Sequence, residues 1–173
     1  SPGVAVGPAL VMLPPADLDV VPDKRIEDIE AELANFTQAL EAVREDMRTL
    51  SAKLATQLRP EERALFDVYL MMLDDAAIGQ EVSQIIRQGQ WAQGALRQVV
   101  AEHVKGFELM DDAYLRERAS DVKDLGRRLL AYLQQAHKEK LTYPDNTILV
   151  SEELTPAMLG EVPEGKLAGL VSV

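Results

Sequence analysis

The stretch "ERASDVKDLGRRLL", residues 117–130, combines a dense run of acidic and basic side chains with a regular apolar pattern. Small or apolar residues recur at alternating intervals of four and three, which places them on one side of a helix. They are Leu115, Ala119, Val122, Gly126, Leu129 and Leu133. A glycine inside a helix costs roughly 1 kcal/mol relative to alanine. We therefore expect the small residues Ala119 and Gly126 to permit a close approach to a neighbouring element.

A second apolar pattern predicts a long helix in the first third of the chain. Asp23, which follows Pro22, is expected to cap this helix, and Pro60 suits the first turn of the next one. The apolar residues of the long helix recur in steps of three and four and form an almost unbroken heptad seam. They are Ile26, Ile29, Leu33, Phe36, Leu40, Val43, Met47, Leu50 and Leu54.

The middle of the chain predicts further helices. "LFDVYLMML", residues 65–73, and the segment after it, residues 74–86, predict two short helices with a kink at Asp74-Asp75. Residues 91–110 predict another helix, and Asp111-Asp112 is expected to cap the one that runs to about Ala136. With the kinked pair counted as one piece, four helical pieces with short connections predict an antiparallel bundle.

Strand patterns occur only near the two ends of the chain. "GVAVGPALVM", residues 3–12, predicts a strand bent at Gly7-Pro8, and "ILVSEEL" and "KLAGLVSV" predict strands near residues 148 and 170. Between these two, Thr155 is expected to cap a short helical turn that opens at Pro156. Because a single strand cannot stand alone, the first strand is expected to pair with the last two. The predicted fold class is therefore α+β, with a helical bundle, residues 21–142, inserted into a small α/β domain, residues 1–20 and 143–173.

Composition and charge restrict the kind of partner. The formal net charge is −11, from 29 acidic and 18 basic residues, and such a surface repels nucleic acid and anionic membranes while it attracts a basic protein. The chain contains no cysteine, which excludes disulfides, and no apolar run approaches the roughly 20 residues of a membrane span. No signal peptide is visible. The absence of an initiator methionine and the apolar end of the sequence predict that the α/β domain is incomplete.

Patterns typical of catalytic sites are scarce. There are two histidines, His103 and His137, and neither has the spacing of a helical zinc or di-iron motif. No phosphate-binding glycine loop and no G-x-S-x-G motif occur. Both histidines are expected to be structural, His137 as a cation at a helix C-terminus. The residues themselves therefore indicate a binding or scaffolding protein.

Residues 66–78 carry more apolar side chains than one buried helix face requires. Methionine and aromatic side chains suit adaptable protein contacts, although packing in the core remains the alternative. Acidic residues surround this stretch, and Tyr114, Arg118 and Asp121 lie beside the seam of the quoted helix. An apolar centre with a polar rim is typical of a protein interface. On the same helix, Asp124 with Arg128, and Asp112 with Arg116, are spaced to form ion pairs.

Several segments in order resemble Enzyme I of the bacterial phosphoenolpyruvate:sugar phosphotransferase system. They are "SPGVAVGPAL", "MMLDD", "LMDDAYLRERASDVKDLGRRLL" and "ILVSEELTP", and they extend over essentially the whole chain. The combination of residues that makes the resemblance specific is Asp112, Tyr114, Leu115, Glu117, Arg118, Asp121, Val122, Asp124 and Gly126. The stretch "PPADLDVVPDKRIEDIEAEL" is closer to the nitrogen-regulatory branch of this family.

The resemblance implies a fragment of a cytoplasmic phosphoenolpyruvate-protein phosphotransferase. Such enzymes take phosphate from phosphoenolpyruvate, bound with Mg²⁺ in a C-terminal barrel that also forms the homodimer, onto a histidine of the N-terminal domain. They pass it to a phosphocarrier protein, HPr or its nitrogen-branch homologue NPr. The active histidine lies in a Gly-rich Ser-His loop that is expected after Val173, so this fragment alone is predicted to be inactive and to bind no cofactor or metal.

The resemblance also implies that the inserted bundle docks the carrier. The residues expected to contact it are Glu61, Glu62, Phe66, Tyr69, Met72, Asp74, Asp75, Ile78, Met110, Tyr114, Leu115, Arg118 and Asp121. Ala76 and Ala77 stand where family members often carry further acids, which bears on carrier preference. A non-catalytic helical adaptor that binds a basic protein remains an alternative, as does a pyruvate phosphate dikinase, against which "DDAYLRERASDV" speaks.

Overall fold

The computed structural model describes residues 3–11, 16–73, 77–151, 159–160 and 162–172. Within these residues the elements are β1 Ala9–Val11, a 3₁₀ turn Leu18–Val20, α1 Ile29–Leu54, α2 Pro60–Leu73, α3 Ile78–Arg87, α4 Ala92–Glu108, α5 Ala113–Lys140, β2 Thr147–Ser151 and β3 Leu167–Ser172. The chain divides into two compact units. One comprises residues 1–15 and 137–173, and the other comprises residues 16–136.

The first long helix begins later than the sequence indicates. Residues 24–26 pair with the α3–α4 connection, because Ile26 N donates to Gly89 O and Trp91 N donates to Lys24 O, both at 3.0 Å. Residues held in this extended pairing cannot also form a helix. Helix α1 therefore starts at Ile29, where the Asp28 carboxylate accepts the amide of Ala31.

The prediction that Asp23 caps α1 is therefore wrong. Its carboxylate accepts a hydrogen bond from Gln90 Nε2 at 2.8 Å and pairs with Arg97, so it ties the N-terminal segment to α4. Pro60 is the first residue of α2, as predicted.

One hydrophobic core holds the helical unit together. The seam of α1 contributes Phe36, Leu40, Val43 and Met47, all buried, whereas Leu50 lies near the end of the helix and is exposed. The other helices meet this seam with Leu73, Ile78, Val82, Ile86, Leu96, Val99, Val122, Leu125, Leu129, Leu130 and Leu133. With α2 and α3 counted as the two halves of one kinked piece, the four-piece helical arrangement is confirmed.

The close approach predicted for the quoted helix, α5, occurs at Gly126. A Cβ atom at this position would lie 2.8 Å from Leu18 Cδ1 and 2.8 Å from Val100 Cγ2, whereas carbon atoms in normal contact are about 3.5–4.0 Å apart. Ala119 is also buried. The small residues of the stripe therefore let α5 lie against α4 and the 3₁₀ turn, while Leu115 at the start of the stripe is exposed.

The other unit contains a three-stranded parallel sheet in the order β1-β2-β3. The first strand is shorter than predicted and pairs only with the central strand β2, through Leu10 and Leu149. Gly7 precedes it, where a Cβ would lie 1.8 Å from the carbonyl oxygen of Asn146, so only glycine fits there. Leu149 is fully buried against Leu10, Tyr143 and Val162. The turn predicted at Thr155-Pro156 lies outside the described residues.

Candidate protein-docking site

Four predicted site residues form one continuous network between α2 and α5. Tyr69 on α2 donates its hydroxyl to Asp121 Oδ1 at 2.8 Å. On α5, Arg118 Nη1 lies 2.9 Å from Asp121 Oδ2, and the Arg118 guanidinium stacks over the Tyr114 ring at 4.7 Å. The spacings of three and four residues along α5 place these side chains on one flank of the helix. We call this set the Tyr69–Asp121 network.

The network is well sheltered from water at its centre. The side chains of Arg118 and Asp121 are each only 15% exposed. Burial of the phenol, followed by its hydrogen bond to Asp121 and the nearby carboxylate charges, raises the pKa of Tyr69 to about 12. Tyr69 is therefore a neutral hydrogen-bond donor at any physiological pH, and the network fixes the position of Arg118 beneath Tyr114.

Apolar side chains are exposed next to this network, at the α4–α5 connection. Leu109 is 76% exposed and Tyr114 is 62% exposed. Their neighbours in the sequence, Met110 and Leu115, are also exposed. The connection is held in place by polar contacts, because Asp112 Oδ1 accepts the amides of Tyr114 and Leu115. We call Leu109, Met110, Tyr114 and Leu115 the apolar turn. A fixed backbone that presents uncovered apolar side chains is a typical feature of a protein-binding surface.

The predicted ion pairs of α5 have different outcomes. Asp124 and Arg128 pair at 3.0 Å, as predicted. Arg116, predicted to pair with the Asp112 carboxylate, instead donates Nη1 to the backbone carbonyls of Met110 and Asp111, at 2.9 and 2.7 Å. The Asp112 carboxylate is turned to the first-turn amides of α5, so both side chains stabilise the α4–α5 connection.

Acidic residues predicted to surround residues 66–78 lie on α2, and we call Glu61, Glu62 and Asp67 the acidic rim. Glu61 is exposed, and Glu62 accepts both the amide and the guanidinium of Arg59, at 2.9 and 3.0 Å. The backbone hydrogen bond and then the side-chain hydrogen bond from Arg59 lower the pKa of Glu62. Asp74 and Asp75, predicted to continue this rim, lie outside the described residues.

The predicted apolar residues of this region are unequally exposed. Phe66, Tyr69 and Met72 are partly buried and pack against the core from its edge. Ile78 is only 1% exposed, so the prediction that it contacts a carrier is wrong. It is the first residue of α3, and its side chain is part of the core. Leu109, which sequence reasoning missed, is more exposed than any of them, and its place just after the end of α4 is the only signal in the sequence.

The structure places the two histidines on different helices, His103 on α4 and His137 on α5. His103 Nε2 lies 2.8 Å from Glu81 Oε2, a contact between α4 and α3. His137 is exposed near the end of α5. No group of three or more potential metal ligands occurs among the residues with described positions. In the same part of the chain, every helix is too short or too polar to cross a membrane.

These observations define a class of protein with a mostly helical α+β fold. Along the chain, a helical unit lies between the first and second strands of a small parallel sheet. This unit exposes an apolar turn beside a charged network. Residues 1–118 match the family described as PEP-utilising enzyme, N-terminal, and the chain belongs to this family. Together with the relatives and solved structures described next, this match confirms the predicted resemblance to Enzyme I.

Named relatives agree with this assignment. The chain is 31% identical over 171 residues to a phosphoenolpyruvate-dependent phosphotransferase system protein of Salmonella typhimurium, which covers 99% of this chain and 23% of that protein. It is 31% identical over 159 residues to the phosphoenolpyruvate-protein phosphotransferase of Staphylococcus aureus, which covers 91% of this chain and 28% of that protein. The chain thus spans about a quarter of the length of these relatives.

Solved structures show the same fold. A structure described as the N-terminal domain of Enzyme 1 - Nitrogen superimposes with a TM-score of 0.66 at 31% identity, over 99% of this chain and 71% of that one. A solution structure of Enzyme I superimposes with a TM-score of 0.62 at 25% identity, over 98% of this chain and 69% of that one. The predicted α+β fold class is confirmed.

Proposed function

We propose that this chain is the carrier-docking part of a phosphoenolpyruvate-protein phosphotransferase. The helical unit docks a phosphocarrier protein of the HPr type, and the sheet-containing unit is part of the phosphohistidine domain. The phosphoryl group passes to the carrier histidine from a histidine outside this chain. Phosphoenolpyruvate and Mg²⁺ bind in a further domain, which also forms the homodimer, and the complete enzyme works in the cytoplasm. Family membership together with the exposed apolar turn beside the Tyr69–Asp121 network supports this proposal.

The docking surface is centred on the apolar turn and the network. Leu109 and Tyr114 expose large apolar areas, and Asp112 accepts the backbone amide of Tyr114. Binding energy at protein interfaces is concentrated in such aromatic and arginine anchors, which cluster at the centre of the contact. Arg118 is held by its contacts with Asp121 and Tyr114 before any partner arrives, so less side-chain entropy is lost on binding.

The electrostatic part of the recognition comes from the acidic rim. The chain carries a net charge of −11, and Glu61, Glu62 and Asp67 lie on α2 together with Tyr69. Such a surface attracts a carrier that surrounds its histidine with basic residues, and this attraction raises the association rate. Because salt screens exposed charges over about 8 Å at physiological ionic strength, carrier binding should weaken as salt is added.

Within the family, we place this chain in the nitrogen-regulatory branch and expect NPr to be its preferred carrier. The supporting observation is the similarity to the N-terminal domain described as Enzyme 1 - Nitrogen, at 31% identity and a TM-score of 0.66. The Enzyme I solution structure matches at 25% identity. Parallel titrations with HPr and NPr test this assignment, which is wrong if HPr binds more tightly.

The docking proposal is tested by titrating the carrier into the isotope-labelled chain and following backbone amide shifts. We expect saturable shifts at Leu109, Tyr114 and Arg118. The variant Tyr114→Ala should weaken binding by about tenfold, since loss of one aromatic anchor costs about 1–2 kcal/mol. Tyr132→Ala provides the matched control, because Tyr132 is an exposed tyrosine of the same helix that contacts Asp46 of α1 instead.

Two outcomes would contradict the proposal. If neither carrier shifts the amides of the apolar turn, the surface is misplaced. If Tyr114→Ala and Tyr132→Ala weaken binding equally, the effect is not specific to the turn. A phosphorylation assay with phosphoenolpyruvate and the carrier separates the claim about the histidines. We expect no phosphate on His103 or His137, and phosphate on either would refute the assignment of the reactive histidine to another part of the protein.

A further inference from the structure

A shallow groove lies between α3 and α4, beside the apolar turn. Its volume is about 290 Å³, and it is open to solvent. Glu81 of α3 lines one side, and residues of α4 line the other. Met110, which belongs to the apolar turn, is part of the lining, so the groove is continuous with the proposed docking surface. We call it the α3–α4 groove.

The charged groups of the α3–α4 groove are mainly negative. Glu81 and Glu102 are exposed carboxylates. Glu81 lies 2.8 Å from His103, and Glu102 accepts a side-chain amide of Gln98 at 3.5 Å, which leaves its negative charge in place. Among the residues described, no lysine or arginine lines the groove. The two carboxylates give a net charge of −2 with a neutral imidazole and −1 with a protonated one, so the groove attracts a cation in either state.

The rest of the α3–α4 groove offers apolar surface and open space. Phe107 packs against the core from its edge, and Met110 is 40% exposed. Gly106 also lines the groove, and a Cβ atom there would meet no atom within 4 Å. A lysine or arginine side chain fits such a surface, because its methylene stem covers apolar groups while its charged head stays near water. Sites for free small molecules enclose most of the ligand, and this groove is too open for that.

We propose that the α3–α4 groove receives a basic side chain, lysine or arginine, of the phosphocarrier that docks on the apolar turn. This inference rests on the proposed function and extends the docking surface from α2 and α5 onto α3 and α4. Charge complementarity selects a cation, and continuity through Met110 places the groove within reach of a partner on the apolar turn. Because Glu81 and Glu102 lie on different helices, the cation contacts both.

The role of the α3–α4 groove is to orient the carrier. An apolar contact holds a docked protein but defines its rotation poorly, whereas charged groups that match across an interface fix its register. Phosphoryl transfer between two histidines requires a defined orientation, since the reacting atoms must be held in line and close together. A basic side chain in the groove supplies a second point of contact beside the apolar turn.

The first test measures the association and dissociation rates of whichever carrier, HPr or NPr, binds the chain more tightly. Glu81→Gln and Glu102→Gln each remove one charge of the groove with little change in side-chain size. Each should raise the dissociation rate by about threefold, within the range for partly exposed ion pairs. Glu108→Gln is the matched control, because it removes the same charge from α4 at a residue that contacts Lys123 of α5. It should leave the dissociation rate unchanged, since a charge outside the contact acts on association.

A double-mutant cycle then identifies the contact. Each lysine and arginine of the carrier is replaced in turn by methionine, and its affinity is measured for the wild-type chain and for Glu102→Gln. One of these replacements should weaken binding to the wild-type chain by about threefold and weaken binding to Glu102→Gln no further. With Glu108→Gln, the same replacement should weaken binding as much as it does with the wild-type chain.

Several results would overturn this inference while the apolar turn remains the docking site. They are carrier-induced shifts at the turn with wild-type dissociation rates in both groove variants, an equal rise in dissociation rate for Glu108→Gln, or no basic carrier residue coupled to Glu102. Dimerisation of the chain without carrier that Glu102→Gln abolishes would assign the groove to a second copy, and the inference would also be wrong. If neither carrier binds the wild-type chain, both this inference and the proposed function are wrong.

Discussion

The close packing around Gly126 predicts how much stability the protein loses when this glycine is replaced by alanine. In Gly126→Ala the new methyl group would lie 2.8 Å from Leu18 Cδ1 and from Val100 Cγ2. The Leu18 methyl is the end of a flexible side chain and can move aside. Val100 cannot, because a valine inside a helix has one strongly preferred rotamer. The backbones of α4 and α5 must therefore separate slightly.

Two opposing terms determine the net effect of Gly126→Ala. Overpacking of a core contact costs about 1–3 kcal/mol, while alanine gains about 1 kcal/mol over glycine in a helix interior. We expect a net loss of about 1 kcal/mol in the free energy of unfolding. Gly106→Ala in α4 is the matched control, because a Cβ at Gly106 meets nothing within 4 Å. That variant should gain about 1 kcal/mol from helix propensity alone.

Urea denaturation followed by far-UV circular dichroism measures both variants. The two unfolding free energies should differ by about 2 kcal/mol, since the same propensity gain applies to each and only Gly126 meets a neighbour. If Gly126→Ala were as stable as Gly106→Ala, α5 would be able to move away from Val100 at no cost. The explanation of the small-residue stripe by close packing would then be refuted.

Three further predictions follow from individual contacts. Burial and the hydrogen bond to Asp121 raise the pKa of Tyr69 to about 12, above the ordinary value near 10. The contact therefore stabilises the fold fully below about pH 10, and its contribution is lost as the pH rises towards 12. Asp121→Asn should lower the pKa of Tyr69, which is measured as the difference in tyrosinate absorbance between each protein and its Tyr69→Phe counterpart. Asp112→Ala removes the cap of α5 and should reduce the free energy of unfolding by about 1 kcal/mol. The control Asp111→Ala should change the free energy of unfolding by no more than about 0.5 kcal/mol. Equal losses for the two variants in thermal denaturation would refute the assignment of the cap. Trp91→Phe removes an indole N–H that donates to the backbone carbonyl of Pro22 at 2.8 Å. The variant should lose at least about 1 kcal/mol in the free energy of unfolding, measured by urea denaturation. An unchanged denaturation midpoint would contradict a structural role for this hydrogen bond.

Sequence periodicity predicted the helices because their signals are local. The alternation of three and four residues in α5 reports one buried face, and Asp112 and Pro60 mark helix starts through contacts within a few residues. The same reasoning failed at Asp23. There, a pairing with residues more than sixty positions away holds the segment in an extended form and delays α1.

The candidate site was only partly accessible to sequence reasoning. Tyr69, Tyr114, Arg118 and Asp121 were selected, and the structure brings all four together. Ile78 is apolar and lies at the end of the stretch 66–78, which predicted a contact with the carrier, yet its side chain is in the core. An apolar residue at a helix end can face either direction, and one residue changes its direction by about 100°. The sequence therefore does not show whether the side chain of such a residue faces the core or the solvent.

Most of the secondary structure, the α+β class and the family could be predicted from the sequence, because apolar spacing, caps and motifs act over a few residues. Only the folded arrangement shows which residues meet, such as Tyr69 with Asp121 across 52 positions, and Gly126 with Val100. Such contacts depend on how far each helix is rotated and translated against its neighbours. Close packing of the whole core sets these quantities, and no single segment carries them.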